Sequence, residues 1–285
     1  MLALLVTFLW STSWVLIKIG LDDIPALTFA GLRYSLAFFA LLPIALRRAD
    51  IHVLRSLPRS TWANLVLLGL IFYAVTQGAQ FLALTYLPAM TNSLLLSFSA
   101  VLVTVFGVML LNERPTPFQW TGVGLYLVGV VLYFAPKEIL PGQAVGYGIA
   151  AVGVLATALS AILGRAVNRS TVLPPVMVTV ITMGIGSFAL LAAGLIIQGL
   201  PRLSLLNWGI ILWLAVVNSA LAFTLWNASL RTLSAMESSI INNTMLFQIA
   251  ILAWIFLGER LDLFGIAGMV IAGLGTVLVQ LRKRV

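Results

Sequence analysis

Leu110-Leu111-Asn112-Glu113-Arg114 ends one long apolar segment, and Phe256-Leu257-Gly258-Glu259-Arg260 ends another, displaced by 146 residues (113 to 259). The same displacement pairs Leu84 with Leu230, Leu87 with Leu233, and Ala89-Met90 with Ala235-Met236. It continues through Ser93 and Ser239, Phe118 and Phe264, Gly122 and Gly268, and Gly129 and Gly275. One such coincidence means little. An ungapped series across two apolar segments predicts an internal repeat.

The repeated segments are membrane spans. Of the 285 residues, 61% are hydrophobic and 8% charged, with a mean hydropathy of +1.11. Soluble domains carry about 25% charged residues. So few charges cannot cover a water-facing surface, and lipid must take that place. In lipid the backbone closes its own hydrogen bonds as helices or as a closed barrel. The apolar runs are near twenty residues and do not alternate, which selects helices. Ten spans are predicted: 1–19, 27–46, 62–84, 89–111, 117–135, 146–165, 174–198, 207–229, 235–257 and 262–281. Short connections rich in turn formers separate them, such as Asp22-Asp23-Ile24-Pro25, Pro115-Thr116-Pro117 and Pro174-Pro175. The first span is too long for a signal-peptide core and has no basic flank, so it reads as a true helix.

Basic residues fix the expected orientation. With the N-terminus inside, the inner connections and tail hold eleven, among them Arg47, Arg48, Arg55, Arg59 and Arg284. The outer side holds four: Lys18, Lys137, Arg202 and Arg260. This asymmetry predicts both termini in the cytoplasm of a bacterial inner-membrane protein. It also accounts for the net charge of +8 without a nucleic-acid patch. Two halves are expected, 1–137 and 138–285. Each has five spans, an odd number, so the halves run oppositely through the membrane. The fold class is therefore an all-α polytopic protein of ten transmembrane helices in two inverted five-helix repeats.

The two Glu-Arg endings, each followed by a Gly-rich span, resemble the paired EamA repeats of the drug/metabolite transporter superfamily. Trp10-Ser11-Thr12-Ser13 with Ile17-Lys18 is similar to that family's first-helix pattern, and Leu32-Arg33-Tyr34 to its second. The resemblance covers nearly the whole chain and fits best to YddG-type amino-acid exporters. It implies a central cavity lined by the first, third and fourth helices and their counterparts. One departure is clear. Ala100 and Leu246 stand where the family often has proline, so proline kinks there cannot be assumed.

Polar residues are costly in a span, so their placement is informative. The fifth and tenth spans carry glycine stripes instead (Gly122 and Gly129; Gly265, Gly268 and Gly275), which read as packing faces. In the third span Tyr73, Gln77 and Gln80 share a helix face. The fourth offers Asn92 and Ser97, the eighth Trp226 and Asn227, and the ninth Asn242 and Asn243. The first offers Ser11 and Trp14, and its counterpart Ser160. These twelve are the candidate substrate-binding residues. The competing reading is that hydroxyls bond back to their own helix and amides tie helices together. Arg33 either snorkels outward to Asp22 or Asp23, or attracts a substrate carboxylate. Glu113 and Glu259 read as helix-end orienting groups.

No Asp or Glu is read inside a span, which disfavours cation/proton exchange on a membrane carboxylate. Anionic sugar-phosphate cargo would want several deep cations. A nearly uncharged polar lining suits an amino acid or similar small metabolite, exported by alternating access, with uniport as the expected energetics. Two alternatives stay open: a proton-coupled drug/metabolite exporter, and a membrane-embedded binding protein without transport. An enzyme is not expected, because no nucleophile–base spacing, phosphate loop or metal ligand set occurs. There is no cysteine, and the single histidine, His52, lies in a charged connection. No cofactor or metal is expected. The expected partners are the substrate and the bilayer, with the chain a monomer or weak homodimer.

Overall fold

The computed structural model describes residues 1–47, 54, 56–111, 116–135, 140–170, 173–229, 233 and 235–280. Among the described residues, ten helices are long and apolar enough to cross a membrane. They are α1 (Leu2–Gly20), α2 (Ala26–Leu46), α3 (Arg59–Tyr86), α4 (Ala89–Ser97 and Ser99–Leu111) and α5 (Pro117–Phe134). There follow α6 (Pro141–Ser170), α7 (Pro175–Ile197), α8 (Leu205–Trp226), α9 (Ala235–Leu257) and α10 (Leu263–Gln280). The protein is an all-α polytopic membrane protein.

Turn chemistry sets the helix starts. Pro25, Pro58, Pro88 and Pro174 occupy N-cap positions in extended backbone, where a missing N–H costs nothing. Thr116 and Gln119 form a reciprocal capping box ahead of α5, with Pro117 in the first turn. Gly199 and Gly258 follow the ends of α7 and α9 with φ of 76° and 66°, the left-handed stop that favours glycine. Two helices outrun their hydropathy. α3 begins at Arg59 and α6 runs from Pro141 to Ser170, because a helix continues into the interface after the apolar run has ended. Glu237 lies in the first turn of α9, so one carboxylate does fall inside a predicted span, at its exposed end.

Two close crossings frame the molecule. On α5 and α10, a Cβ at Gly122 would lie 2.6 Å from Val279 N, and one at Gly268 would lie 2.6 Å from both Gly129 O and Tyr133 N. Only hydrogen at these positions lets the backbones touch. The pairing of Gly122 with Gly275 and of Gly129 with Gly268 makes the two helices antiparallel. α2 and α7 cross in the same sense, Gly31 against Leu191 and Gly194 against Thr28. Between these crossings α1 packs on α8 and α9, while α6 packs on α3 and α4. Gly265 does not join the crossing; its N–H is bonded at 2.8 Å to Asp262 Oδ1, which caps α10.

Three irregularities interrupt the spans. α3 and α8 each contain a π-helical stretch, at Leu70–Thr76 and Val216–Leu221, whose starts are 146 residues apart. Such stretches shift helix register and often mark functional regions. The third lies in α4 at Phe98. The Tyr126 hydroxyl of α5 donates to Leu94 O at 2.6 Å, and Phe98 N–H turns instead to Leu95 O at 3.0 Å. A side chain inserted in the backbone ladder breaks the helix where proline is missing. Position 272, displaced by 146 from Tyr126, is alanine, and α9 is continuous. Replacing Tyr126 with Phe is expected to return Phe98 N–H to Leu94 O and make α4 continuous. Structure determination of the variant checks this; a persistent break would assign it to the stacked Phe98 ring instead.

Candidate functional site

A cavity of about 410 Å³ lies between the two crossings. α1 contributes Trp10, Ser13 and Trp14; α2 contributes Arg33 and Tyr34; α3 contributes Phe72, Gln77 and Gln80. α4 adds Ser93, Ser97 and Ser99, α8 adds Phe223, and α9 adds Asn242 and Asn243. Most of its polar atoms are oriented by protein bonds. Ser93 and Ser97 donate to Met90 O and Leu94 O at 2.9 and 2.6 Å, leaving their oxygen lone pairs as acceptors. Tyr34 donates to Gln77 Oε1 at 2.7 Å, and Asn243 donates to Gln280 Oε1 at 3.0 Å. The side-chain amides of Gln80 and Asn242 face the cavity with no hydrogen-bond partner among the described residues. Aromatic rings alternate with these amides, so the lining suits a small solute with both polar and apolar parts.

A larger groove of about 680 Å³ runs between α9 and α10. Its walls include Ile251, Trp254 and Ile266, exposed by half or more in the protein alone. Lipid, rather than water, meets such a surface.

Of the sequence-nominated residues, Trp14, Gln77, Gln80, Ser97, Asn242 and Asn243 come together on the cavity wall. Ser11 is fully buried and donates to Thr7 O and to Gln248 Oε1 at 2.8 and 2.9 Å, tying α1 to α9. Ser160 donates to Thr157 O at 2.8 Å, while Thr157 itself reaches the cavity. Tyr73 is buried, edge-on to Tyr34 and Phe72. Asn92 is buried behind the wall, its Nδ2 donating to Gln80 O at 3.2 Å. Trp226 packs against Trp10, with ring centroids 5.3 Å apart. The side chain of Asn227 lies outside the described residues. Tyr34, Phe72, Phe223 and Gln280 line the cavity without having been singled out. Phe72 and Phe223 carry no signal among so many apolar neighbours. Tyr34's adjacency to Arg33 was a weak signal for that residue, and nothing in the sequence marked Gln280.

Two charged side chains act on the turn between α3 and α4. Lys18 Nζ donates to Leu84 O and Leu87 O at 2.5 and 3.0 Å, satisfying the C-terminal carbonyls of α3. Glu259 accepts from Ala89 N and Met90 N at 2.6 and 3.0 Å, satisfying the first N–H groups of α4. Each charge opposes the helix-dipole end it meets. The cavity reaches Thr276 and Gln280, in the last turns of α10. Glu113, the partner of Glu259 in the sequence repeat, lies outside the described residues.

The family model for the EamA-like transporter family matches residues 1–135 and again residues 144–281. The chain belongs to the EamA-like transporter family. The uncharacterized transporter YvbV of Bacillus subtilis is 30% identical over 203 residues, which are 67% of this chain and 62% of that protein. The match therefore spans under two thirds of that EamA relative's own length. The "Probable amino-acid metabolite efflux pump" of Salmonella typhimurium is 27% identical over 241 residues, or 80% of this chain and 77% of that one. Its Escherichia coli namesake is 25% identical over the same shares. A crystal structure superposes with a TM-score of 0.67 at 18% identity, covering 97% of this chain and 96% of that one, a likeness of fold.

Proposed function

We propose that this EamA-like transporter exports amino acids or similar small metabolites through the central cavity by alternating access. The observation that carries the reading is the cavity itself. It is large enough for an amino acid, ringed by eight helices, and lined by amides and aromatic rings. The efflux-pump relatives support the substrate class. Antiparallel α5/α10 and α2/α7 crossings, π-helical stretches 146 residues apart and a family match in each half all support two inverted repeats, 1–137 and 138–285. Rocking one half against the other would open one end of the cavity and close the other. With both termini in the cytoplasm of a bacterial inner membrane, the Lys18–Glu259 end is periplasmic. Among the described residues no Asp, Glu or His lines the cavity, which favours uniport down the substrate's gradient. The chain acts as a monomer or weak homodimer without cofactor.

Site variants test the assignment. Gln80→Ala, Asn243→Ala and Trp226→Ala are each expected to reduce transport at least tenfold while leaving folded yield within about twofold. Ser11→Ala and Ser160→Ala, which alter bonds behind the wall, are expected to change transport much less. Normal transport by the first three would place the site elsewhere.

A further inference from the structure

The cavity wall holds a positive charge that no described carboxylate neutralises. Arg33 is 5% exposed. Its Nε donates to Ser219 Oγ at 3.1 Å and its Nη2 to Ser13 Oγ at 3.5 Å. The guanidinium lies 5.0 Å from the Tyr34 ring centroid and 5.9 Å from that of Phe81. The outward pairing with Asp22 or Asp23 does not occur. Asp23 accepts from Asn207 Nδ2 at 3.3 Å instead. Neutral hydroxyls and ring faces are weak compensation for a cation removed from water. Arginine cannot escape the cost by losing its proton. Among the described residues, only two of its five N–H donors have protein acceptors.

The groups around it are arranged to receive an anion. Gln77 has its Oε1 held by the Tyr34 hydroxyl, which leaves Nε2 as its unengaged end, and both residues line the cavity with Arg33. A guanidinium grips a carboxylate with two parallel hydrogen bonds, a match that a point charge does not offer. Lys18, the other cation in this part of the molecule, is engaged by two backbone carbonyls at the turn between α3 and α4. The cavity therefore offers one full positive charge. No described acidic side chain lines it, so a substrate amine would meet the carbonyl oxygens of Gln80 and Asn242 and the faces of Trp10 and Trp14.

We propose that Arg33 is the carboxylate anchor of the transport site, and that the preferred substrates carry one free carboxylate. The proposal rests on the reading of the cavity as a transport site. It selects amino acids and other monocarboxylates over amines, over uncharged drugs, and over dianions such as sugar phosphates.

The test uses the full chain purified in detergent, with tryptophan fluorescence and thermal shift as readouts. The ligands are matched sets of one amino acid, its amide and its decarboxylated amine, for several side chains. The wild type is expected to bind at least one acid about 30-fold more tightly than its amide or amine. Arg33→Gln is expected to bind acid and amide equally, and Arg33→Lys to keep part of the preference. Without ligand, Arg33→Gln is expected to melt no lower than the wild type, because it removes an uncompensated charge; a purely structural arginine would give a lower midpoint. Ser219→Ala, which loosens the guanidinium, is expected to weaken acid binding several-fold and leave amide binding unchanged, and it keeps the test open if Arg33→Gln fails to fold. Equal acid and amide binding by the wild type, or an acid preference kept in Arg33→Gln, overturns the proposal while the transport reading stands. A wild type that neither binds nor moves any of these compounds overturns both.

Discussion

Gly268→Leu is expected to lose most of its folded yield. Its Cβ would enter the backbone of α5, 2.6 Å from Gly129 O and Tyr133 N, and neither can step aside as a flexible side chain would. Overpacking a tight contact typically costs 1–3 kcal/mol, and a backbone clash lies at or above about 3 kcal/mol. Against a total stability of about 5–15 kcal/mol, that loss is large. Gly124→Leu is the control. It lies on α5 as well, but a Cβ there meets nothing within 4 Å, and its yield should match the wild type. Size-exclusion profiles in detergent distinguish the two. Equal yields would mean that the α5/α10 crossing does not hold the halves together.

Glu259→Ala is the second large effect. The carboxylate holds Ala89 N and Met90 N, and both residues are 3% exposed or less. Without it, buried donors at the start of α4 lose their acceptor, at about 2 kcal/mol. If these bonds form only when the Lys18–Glu259 end is closed, that loss shifts the ratio of closed to open forms about 30-fold. A cysteine at Ser93, buried on the cavity wall, reports the change in a chain that otherwise has none. In the Glu259→Ala background it is expected to react with an impermeant thiol reagent applied from the Lys18–Glu259 side, and to be protected in the wild type. Glu259→Gln, which keeps an acceptor oxygen, should fall between. Protection in all three would show that Glu259 stabilises α4 without gating the cavity.

How far the sequence carries depends on the kind of signal. The ten spans are legible because lipid demands long apolar runs, and the glycine pairs because only the smallest residue tolerates touching backbones. Glu259 is legible as a helix-end group for the same reason: a carboxylate beside a turn has N–H groups to meet. Other features depend on contacts between distant segments. The break in α4 lies where Tyr126 donates to Leu94 O, and Tyr126 is indistinguishable by type from any other buried tyrosine. Arg33 has two acidic residues ten and eleven positions before it, and only packing shows that it turns inward. Ser11 and Ser160 look like Ser97 in sequence, yet they face helix neighbours, because a hydroxyl satisfied by its own helix carries no mark of which way it points. Phe72 and Phe223 shape the cavity with side chains that an apolar span supplies everywhere.

Flux in proteoliposomes tests the central claim most directly. Vesicles holding purified protein are loaded with a radiolabelled amino-acid panel, and release is followed with and without an imposed pH gradient. The account predicts saturable release of at least one amino acid, faster than from protein-free vesicles, slowed at least tenfold by Asn243→Ala, and ending at equal concentrations whatever the pH gradient. Accumulation against the substrate's own gradient, abolished by a protonophore and not explained by membrane potential, would overturn uniport. Release no faster than from protein-free vesicles, for every compound in the panel, would contradict the account itself.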